Sequence, residues 1–193
     1  MIYRFCRSVL RVLYKLLYRL EVSGLEHIPK EGGVLLCSNH ITLLDPPTIG
    51  IMVERKVHFM AKQELFNIFG FSWLIRQLGA FPVKRGGVSK ESIKTALNLL
   101  RNGHVIGIFP EGRRVKDAEA NVIGKKGAAT FALRSDAAVI PVAIIGTYKL
   151  FRKMRVVYGP PVDLTEFKEN GGPDAAERAT EKIMASIAEL KKR

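Results

Sequence analysis

Gly33-Val34-Leu35-Leu36-Cys37-Ser38-Asn39-His40-Ile41-Thr42-Leu43-Leu44-Asp45-Pro46-Pro47 is an apolar run that stops in polar residues and then reaches two prolines. Gly33–Leu36 reads as a short buried strand, which puts His40 at its C-terminal end. In open α/β sheets that edge is where ligands bind. An imidazole titrates near neutrality and takes a proton from a hydroxyl. A carboxylate five residues on, across a tight turn, accepts the other ring N–H, fixes the tautomer and stabilises the imidazolium that forms. No serine stands in a nucleophile-elbow pattern, so His40 and Asp45 read as a dyad that activates a substrate hydroxyl directly. A second reading is a histidine at a strand end, with Asp45 as the N-cap of a helix opening at Pro46. On this segment alone both stay open.

Outward from it the chain alternates. Val22-Ser23 starts an edge strand. Strands are expected at Gly33–Ser38, Lys56–Ala61, Ala80–Val83, His104–Phe109, Ala138–Ile144 and Arg155–Tyr158. Helices are expected near Pro46–Met52, Glu64–Leu78, Ser89–Asn102, Lys125–Ser135 and Asp174–Lys192, with Gly103 suited to a helix C-terminus. Strands alternating with helices imply one α/β domain, with a mixed or mostly parallel sheet flanked by helices. No internal repeat or domain-sized linker interrupts it. The organisation read from sequence is a terminal helix over residues 1–21 and an α/β domain over 22–193.

The 193 residues carry 31 Lys+Arg against 18 Asp+Glu, a net charge of +13, and 47% hydrophobic residues. The chain is therefore long and apolar enough to fold around a real core, and its charge points to a polyanionic partner. Charge does not separate nucleic acid, anionic membrane and phosphorylated small molecules. Cys6 and Cys37 are too few for a disulfide framework and are expected to stay unpaired; Cys37 reads as a small buried hydrophobe.

The first twenty residues are a second signal. Arg4, Arg7, Arg11, Lys15 and Arg19 recur every three or four positions, with no acid before Glu21. On a helical wheel they share an arc of roughly 120°. Phe5, Val9, Val12, Leu13, Leu16, Leu17 and Leu20 oppose them, and Tyr3, Tyr14 and Tyr18 lie along one flank. That is the profile of a helix lying in a membrane interface, with the five cations as membrane contacts. A transmembrane span is disfavoured, because a central cation costs about 2.5–3.5 kcal/mol, and no small-residue cleavage site follows to suggest a signal peptide. The alternative is a helix packed on its own domain with its arginines in solvent.

Two more segments end strands in charge. Phe109-Pro110-Glu111-Gly112-Arg113-Arg114 follows the run Val105–Phe109, so it shares His40's sheet edge if the strands are parallel. Gly112 permits a tight backbone path, and arginine offers a planar fork for phosphate oxygens. Phe81-Pro82-Val83-Lys84-Arg85-Gly86-Gly87 repeats the logic. Val139-Ile140-Pro141-Val142 is an apolar strand whose proline suggests an edge or a bulge. Each segment also reads as an ordinary solvated turn or strand end.

Four segments in this order resemble the glycerolipid acyltransferase family, typified by 1-acylglycerol-3-phosphate acyltransferase. They are Asn39-His40 with Asp45, Phe81 to Arg85, Phe109 to Arg114, and Val139–Val142, covering most of the chain from Val22 to Pro160. One departure stands out: Arg113 occupies a position where the family usually has Thr or Ser. The resemblance implies transfer of a fatty acyl group from acyl-CoA or acyl-carrier protein to the hydroxyl of a lysophospholipid, most simply 1-acyl-sn-glycerol 3-phosphate. It implies His40 as general base, Asp45 as its orienter, and Arg85, Glu111, Gly112 and Arg114 at the acceptor phosphate. Asn39, Lys84, Arg113 and Pro141 would support them. No metal or cofactor is implied beyond the acyl donor. The implied setting is the cytoplasmic face of the membrane, with an anionic lipid surface as partner and no nucleic acid. The rival readings are a basic lipid- or nucleic-acid-binding module without catalysis, and a thioesterase or lipid hydrolase that uses the same histidine on water.

Overall fold

The computed structural model describes residues 1–83, 89–115, 124–169 and 171–192. Helix α1 (Ile2–Tyr18) leads into β1 (Leu20–Ser23); β2 (Val34–Ser38) is followed by α2 (Asp45–Gly50). Next come β3 (Val57–Lys62), α3 (Phe71–Gln77), β4 (Ala80–Val83), α4 (Lys90–Arg101), β5 (Val105–Ile108) and α5 (Gly127–Leu133). The chain closes with β6 (Ala138–Gly146), β7 (Met154–Tyr158), α6 (Thr165–Glu169) and α7 (Ala175–Lys191).

The strands form one seven-stranded sheet in the order β1-β7-β6-β2-β5-β3-β4. All neighbours are parallel except β6 and β7, which are antiparallel. The expected single α/β domain is what forms. Strand β2 lies at the centre and all five of its residues are buried, as a strand covered on both faces requires. One face packs on α4, α5 and α7 through Leu97, Phe131 and Ile183. The other packs on α1 and α2 through Tyr14, Ile49 and Tyr158. In register, Cys37 sits beside Ile108 on one side and Pro141 on the other. The residues after β2 and β5 therefore emerge side by side.

Several elements depart from expectation. Glu64–Leu78 is not one helix but a 3-10 turn over Gln63–Asn67 and then α3, separated by the Ile68–Gly70 turn. Helix α6 went unseen because it is a single turn, nucleated by Asp163, which accepts from the backbone N–H and the hydroxyl of Thr165. Pro141 is in neither an edge strand nor a bulge; it lies inside β6, buried, next to central β2. It is tolerated because pairing with β7 begins only at Val142, so no partner strand awaits the missing N–H. Both cysteines are free.

Two of the five cations read as membrane contacts, Arg7 and Arg11, turn instead toward the protein's own domain. Arg11 donates to the carbonyls of Ile51 and Met52, and Arg7 to those of Val53 and Glu54. These carbonyls follow the C-terminus of α2, where cations are favoured by the helix dipole. The tyrosines also turn inward. Tyr3 Oη accepts from the Val57 N–H, Tyr14 donates to the Leu44 carbonyl, and Tyr18 stands edge-on to Tyr14 and Tyr148. Arg4, Lys15 and Arg19 remain exposed, beside an outward stripe of Phe5, Val9, Val12, Leu13 and Leu16. No described helix is long and apolar enough to cross a membrane.

Candidate active site

His40 leaves the C-terminal end of β2 and Asp45 opens α2, with Pro46 and Pro47 in its first turn. The five-residue turn folds His40 Nδ1 to 2.6 Å from Asp45 Oδ2. The same oxygen accepts from the backbone N–H of Ile41 at 2.5 Å and of Thr42 at 2.7 Å. Oδ1 accepts from the Thr42 hydroxyl at 3.2 Å and the Tyr148 hydroxyl at 2.8 Å. Burial pushes the Asp45 carboxyl up, but the hydrogen bonds from His40, Thr42, Tyr148 and Ile41 outweigh it and hold the group below the usual carboxylate range. Every neighbour of this carboxylate donates, so His40 carries its proton on Nδ1 and presents a lone pair on Nε2. The imidazole keeps 17% exposure, which leaves it open to a substrate.

The Phe109–Val115 segment wraps this ring. The Phe109 ring stacks on the imidazole at 4.1 Å and 17°. Phe59 lies parallel to Phe109 beyond it, and a Cβ at Gly107 would collide with the Phe59 ring. Glu111 Oε2 accepts from the His40 N–H at 3.1 Å, and the His40 carbonyl accepts from the Val115 N–H at 2.7 Å. Arg113 and Arg114 are therefore carried on a loop tied to His40 at both ends, and both are exposed. Gly112 has φ 63°, where a side chain would be strained and would run into the Lys125 stem.

Glu111 is almost fully buried, and burial raises its carboxyl pKa against the opposing effect of the His40 N–H. Its carboxylate accepts from the backbone N–H of His40. Asn39 is likewise engaged with the scaffold. Its amide donates to the Ile144 carbonyl at 3.0 Å and accepts from the Ile144 N–H at 2.8 Å, a two-point clamp onto β6. Pro141 lies three residues before Ile144 within that strand. Lys84 and Arg85 lie outside the described residues.

Two residues near the dyad escaped the sequence reading. Tyr148 follows β6, stands among no recognised motif, and reaches Asp45 only through the fold. Its hydroxyl is also 2.7 Å from Thr48 Oγ1, and burial, with the Asp45 charge, raises its pKa. Lys125 covers Gly112 and pairs its N–H with the Pro110 carbonyl, adding a cation beside Arg113 and Arg114. Sequence placed it at the start of a helix, with nothing to tie it to this loop.

A family model described as Acyltransferase matches residues 19–145, which take in His40, Asp45 and the Phe109–Arg114 segment. The chain belongs to the acyltransferase family. This acyltransferase is 31% identical to the 1-acyl-sn-glycerol-3-phosphate acyltransferase of Bacillus subtilis (strain 168), over 97% of its own length and 96% of the relative's. It is 29% identical to the protein of the same name from Streptococcus pneumoniae, over 88% and 66%. It spans 38% of the chloroplastic LPAT1 of Arabidopsis thaliana, at 32% identity. Among solved structures, it superposes on the 1-acyl-sn-glycerophosphate (LPA) acyltransferase PlsC of Thermotoga maritima with TM-score 0.74 and 28% identity, over its whole length and 79% of that chain.

Proposed function

We propose that this acyltransferase moves a fatty acyl group from a thioester, acyl-CoA or acyl-carrier protein, to the free hydroxyl of 1-acyl-sn-glycerol 3-phosphate, giving phosphatidic acid. His40 Nε2 takes the hydroxyl proton as that oxygen attacks the thioester carbonyl. The new C–O bond forms, the C–S bond breaks, and the leaving thiolate takes the proton back from the imidazolium. Asp45 holds the ring and offsets the transient positive charge. Arg113, Arg114 and Lys125 line the loop around the ring and suit a phosphate, with Arg85 as a further ligand. Glu111 serves this reading by anchoring His40 rather than by meeting the phosphate, which a carboxylate would repel.

The observation that carries the reading is the His40–Asp45 bond at 2.6 Å, with the imidazole partly exposed and two exposed arginines on the loop tied to the His40 backbone. The names of the relatives support the acceptor. The seat proposed is the cytoplasmic face of a membrane, and the outward stripe of α1 supports contact with a membrane surface. Phe5 and Leu16 are 69% and 65% exposed, and Arg4, Lys15 and Arg19 sit where they meet anionic head groups.

The test is product identity. The purified chain is incubated with labelled acyl-CoA or acyl-carrier protein and a panel of lysolipids on anionic vesicles. Phosphatidic acid is the expected product, and His40→Ala is expected to lower turnover by about 10²-fold or more while the fold persists. Free fatty acid as the product would identify a hydrolase, and an unchanged rate in His40→Ala would end the proposed mechanism.

A further inference from the structure

The turn between β3 and α3 holds the most exposed aromatic group in the body of the protein. Phe69 is 103% exposed and Trp73 57%, with Ile68 and Phe71 beside them. The turn is held by its own backbone: Phe71 N–H bonds the Phe69 carbonyl, Ser72 N–H that of Ile68, and Leu74 N–H that of Gly70. The side chains are thus presented to solvent by an ordered turn. Leu65 to Ile75 contains no acidic residue. Its nearest cation, Arg76, lies over the Phe66 ring.

Topology sets where this turn faces. β3 and β4 run parallel to β2, so the turn leaving β3 starts at the same sheet edge as His40. Exposed apolar residues from two other loops share that edge: Leu43 and Leu44 after β2, and Leu150 and Phe151 between β6 and β7. Helix α1 joins them, because Tyr14 bonds the Leu44 carbonyl and the Phe151 N–H bonds the Leu17 carbonyl. At the other end of α1, Gln77, one turn beyond Trp73, lines a cavity with Met1, Ile2 and Arg4. That cavity is polar, with Arg7, Glu54 and Lys56 also in its lining, so the Phe69–Trp73 turn and the outward stripe of α1 are two separate apolar surfaces.

We propose that the Ile68–Trp73 turn is a second lipid-docking element, which seats in the interface of an anionic bilayer together with α1. The proposal rests on the membrane reading of α1 given above. Aromatic and aliphatic side chains without carboxylates, on a chain of charge +13, match lipid. Two contact regions on either side of the dyad fix its rotation on the membrane, so that the catalytic edge opens into the interface and the acceptor enters laterally.

Trp73 is the sole tryptophan, so intrinsic emission reports this turn directly. The full chain is mixed with vesicles of phosphatidylglycerol and phosphatidylcholine, with and without bromine on the acyl chains, and sedimented in parallel. Trp73 emission is expected to move to shorter wavelength and to be quenched by the bromolipid. Phe69→Asp is expected to weaken vesicle affinity by about tenfold or more while melting as the parent does. Sedimentation with no change in emission would overturn the proposal and leave the α1 reading intact; failure to sediment at all would overturn both. Phe69→Asp that splits a dimer in lipid-free buffer, with vesicle affinity unchanged, would make the turn a contact between copies and overturn the proposal.

Discussion

The Tyr148 hydroxyl donates to Asp45 Oδ1 at 2.8 Å, across 103 positions of sequence, and leaves Oδ2 to His40. The two oxygens thus have separate tasks: one is held by the loop after β6, the other orients the imidazole. Tyr18 of α1 stands edge-on to the Tyr148 ring at 5.5 Å, so the terminal helix packs on the residue that holds Asp45. Tyr148→Phe keeps that ring contact and removes only the hydroxyl. A hydrogen bond to a charged group is worth about 1.5–3 kcal/mol, so kcat is expected to fall about tenfold or more, with the KM for the acceptor nearly unchanged. A raised KM with kcat intact would show instead that Tyr148 touches the substrate.

Asp45 and Glu111 respond to pH with opposite signs. The folded Asp45 pKa lies below its unfolded value near 3.8, so its stabilisation is present above that value and is lost as pH falls through the folded pKa. The folded Glu111 pKa lies above 4.5, so its ionisation destabilises the fold above the folded pKa, and the penalty disappears below 4.5. Glu111→Gln keeps an acceptor for the His40 N–H without the charge. Its Tm is expected to exceed the parent's at pH 7, and the gain to vanish below about pH 4.5, in calorimetry across that range.

The same residue separates anchoring from phosphate binding. Glu111→Ala leaves the His40 N–H without its acceptor, and is expected to lower kcat with little change in acceptor KM. Arg114→Ala is expected to do the reverse, raising KM. Steady-state kinetics on both variants with the phosphate-bearing acceptor would decide; a KM effect in Glu111→Ala would return the carboxylate to the acceptor site.

Arg11 and Arg4 lie on the same side of one helix, but Arg11 is bonded to the end of α2 while Arg4 is exposed, and their substitutions should part accordingly. Arg11→Ala removes two charge-assisted bonds at the end of α2. Partly exposed as they are, a loss on the order of 1–2 kcal/mol is expected, lowering Tm by roughly 2–4 °C per kcal/mol. Arg4→Ala is expected to leave Tm unchanged and to weaken binding to anionic vesicles, by about 1 kcal/mol. Thermal melts and vesicle sedimentation on the pair test this; equal Tm losses would contradict the orientation of α1.

Asn39 is expected to matter for folding rather than chemistry. Both of its bonds go to Ile144 in a fully buried setting. Asn39→Ala strands an N–H and a C=O, which costs about 2–4 kcal/mol. Denaturant unfolding should register that loss, with the residual folded enzyme retaining most of its turnover.

What the sequence alone determined is local. Buried apolar runs ending in polar residues mark β2 and β5, and the five-residue spacing from His40 to Asp45 spans a single turn, so their pairing could be read as one of two alternatives; the contact itself is given by the fold. The Gly33–Ser38 and Ala80–Val83 boundaries follow from the same alternation of burial and breakers. What only the tertiary structure decided rests on partners distant in the chain. A helical wheel shows that α1 has a basic side and an apolar side, but which side faces the protein depends on carbonyls at Ile51 to Glu54, some 40 residues on, that need donors. Tyr148 and Asn39 carry no periodic signal, since a single buried hydrogen bond across the sheet leaves no pattern in the neighbouring residues. The family resemblance put Glu111 at the acceptor phosphate; only the fold shows its carboxylate on the His40 N–H, since a carboxylate removed from water must find a donor.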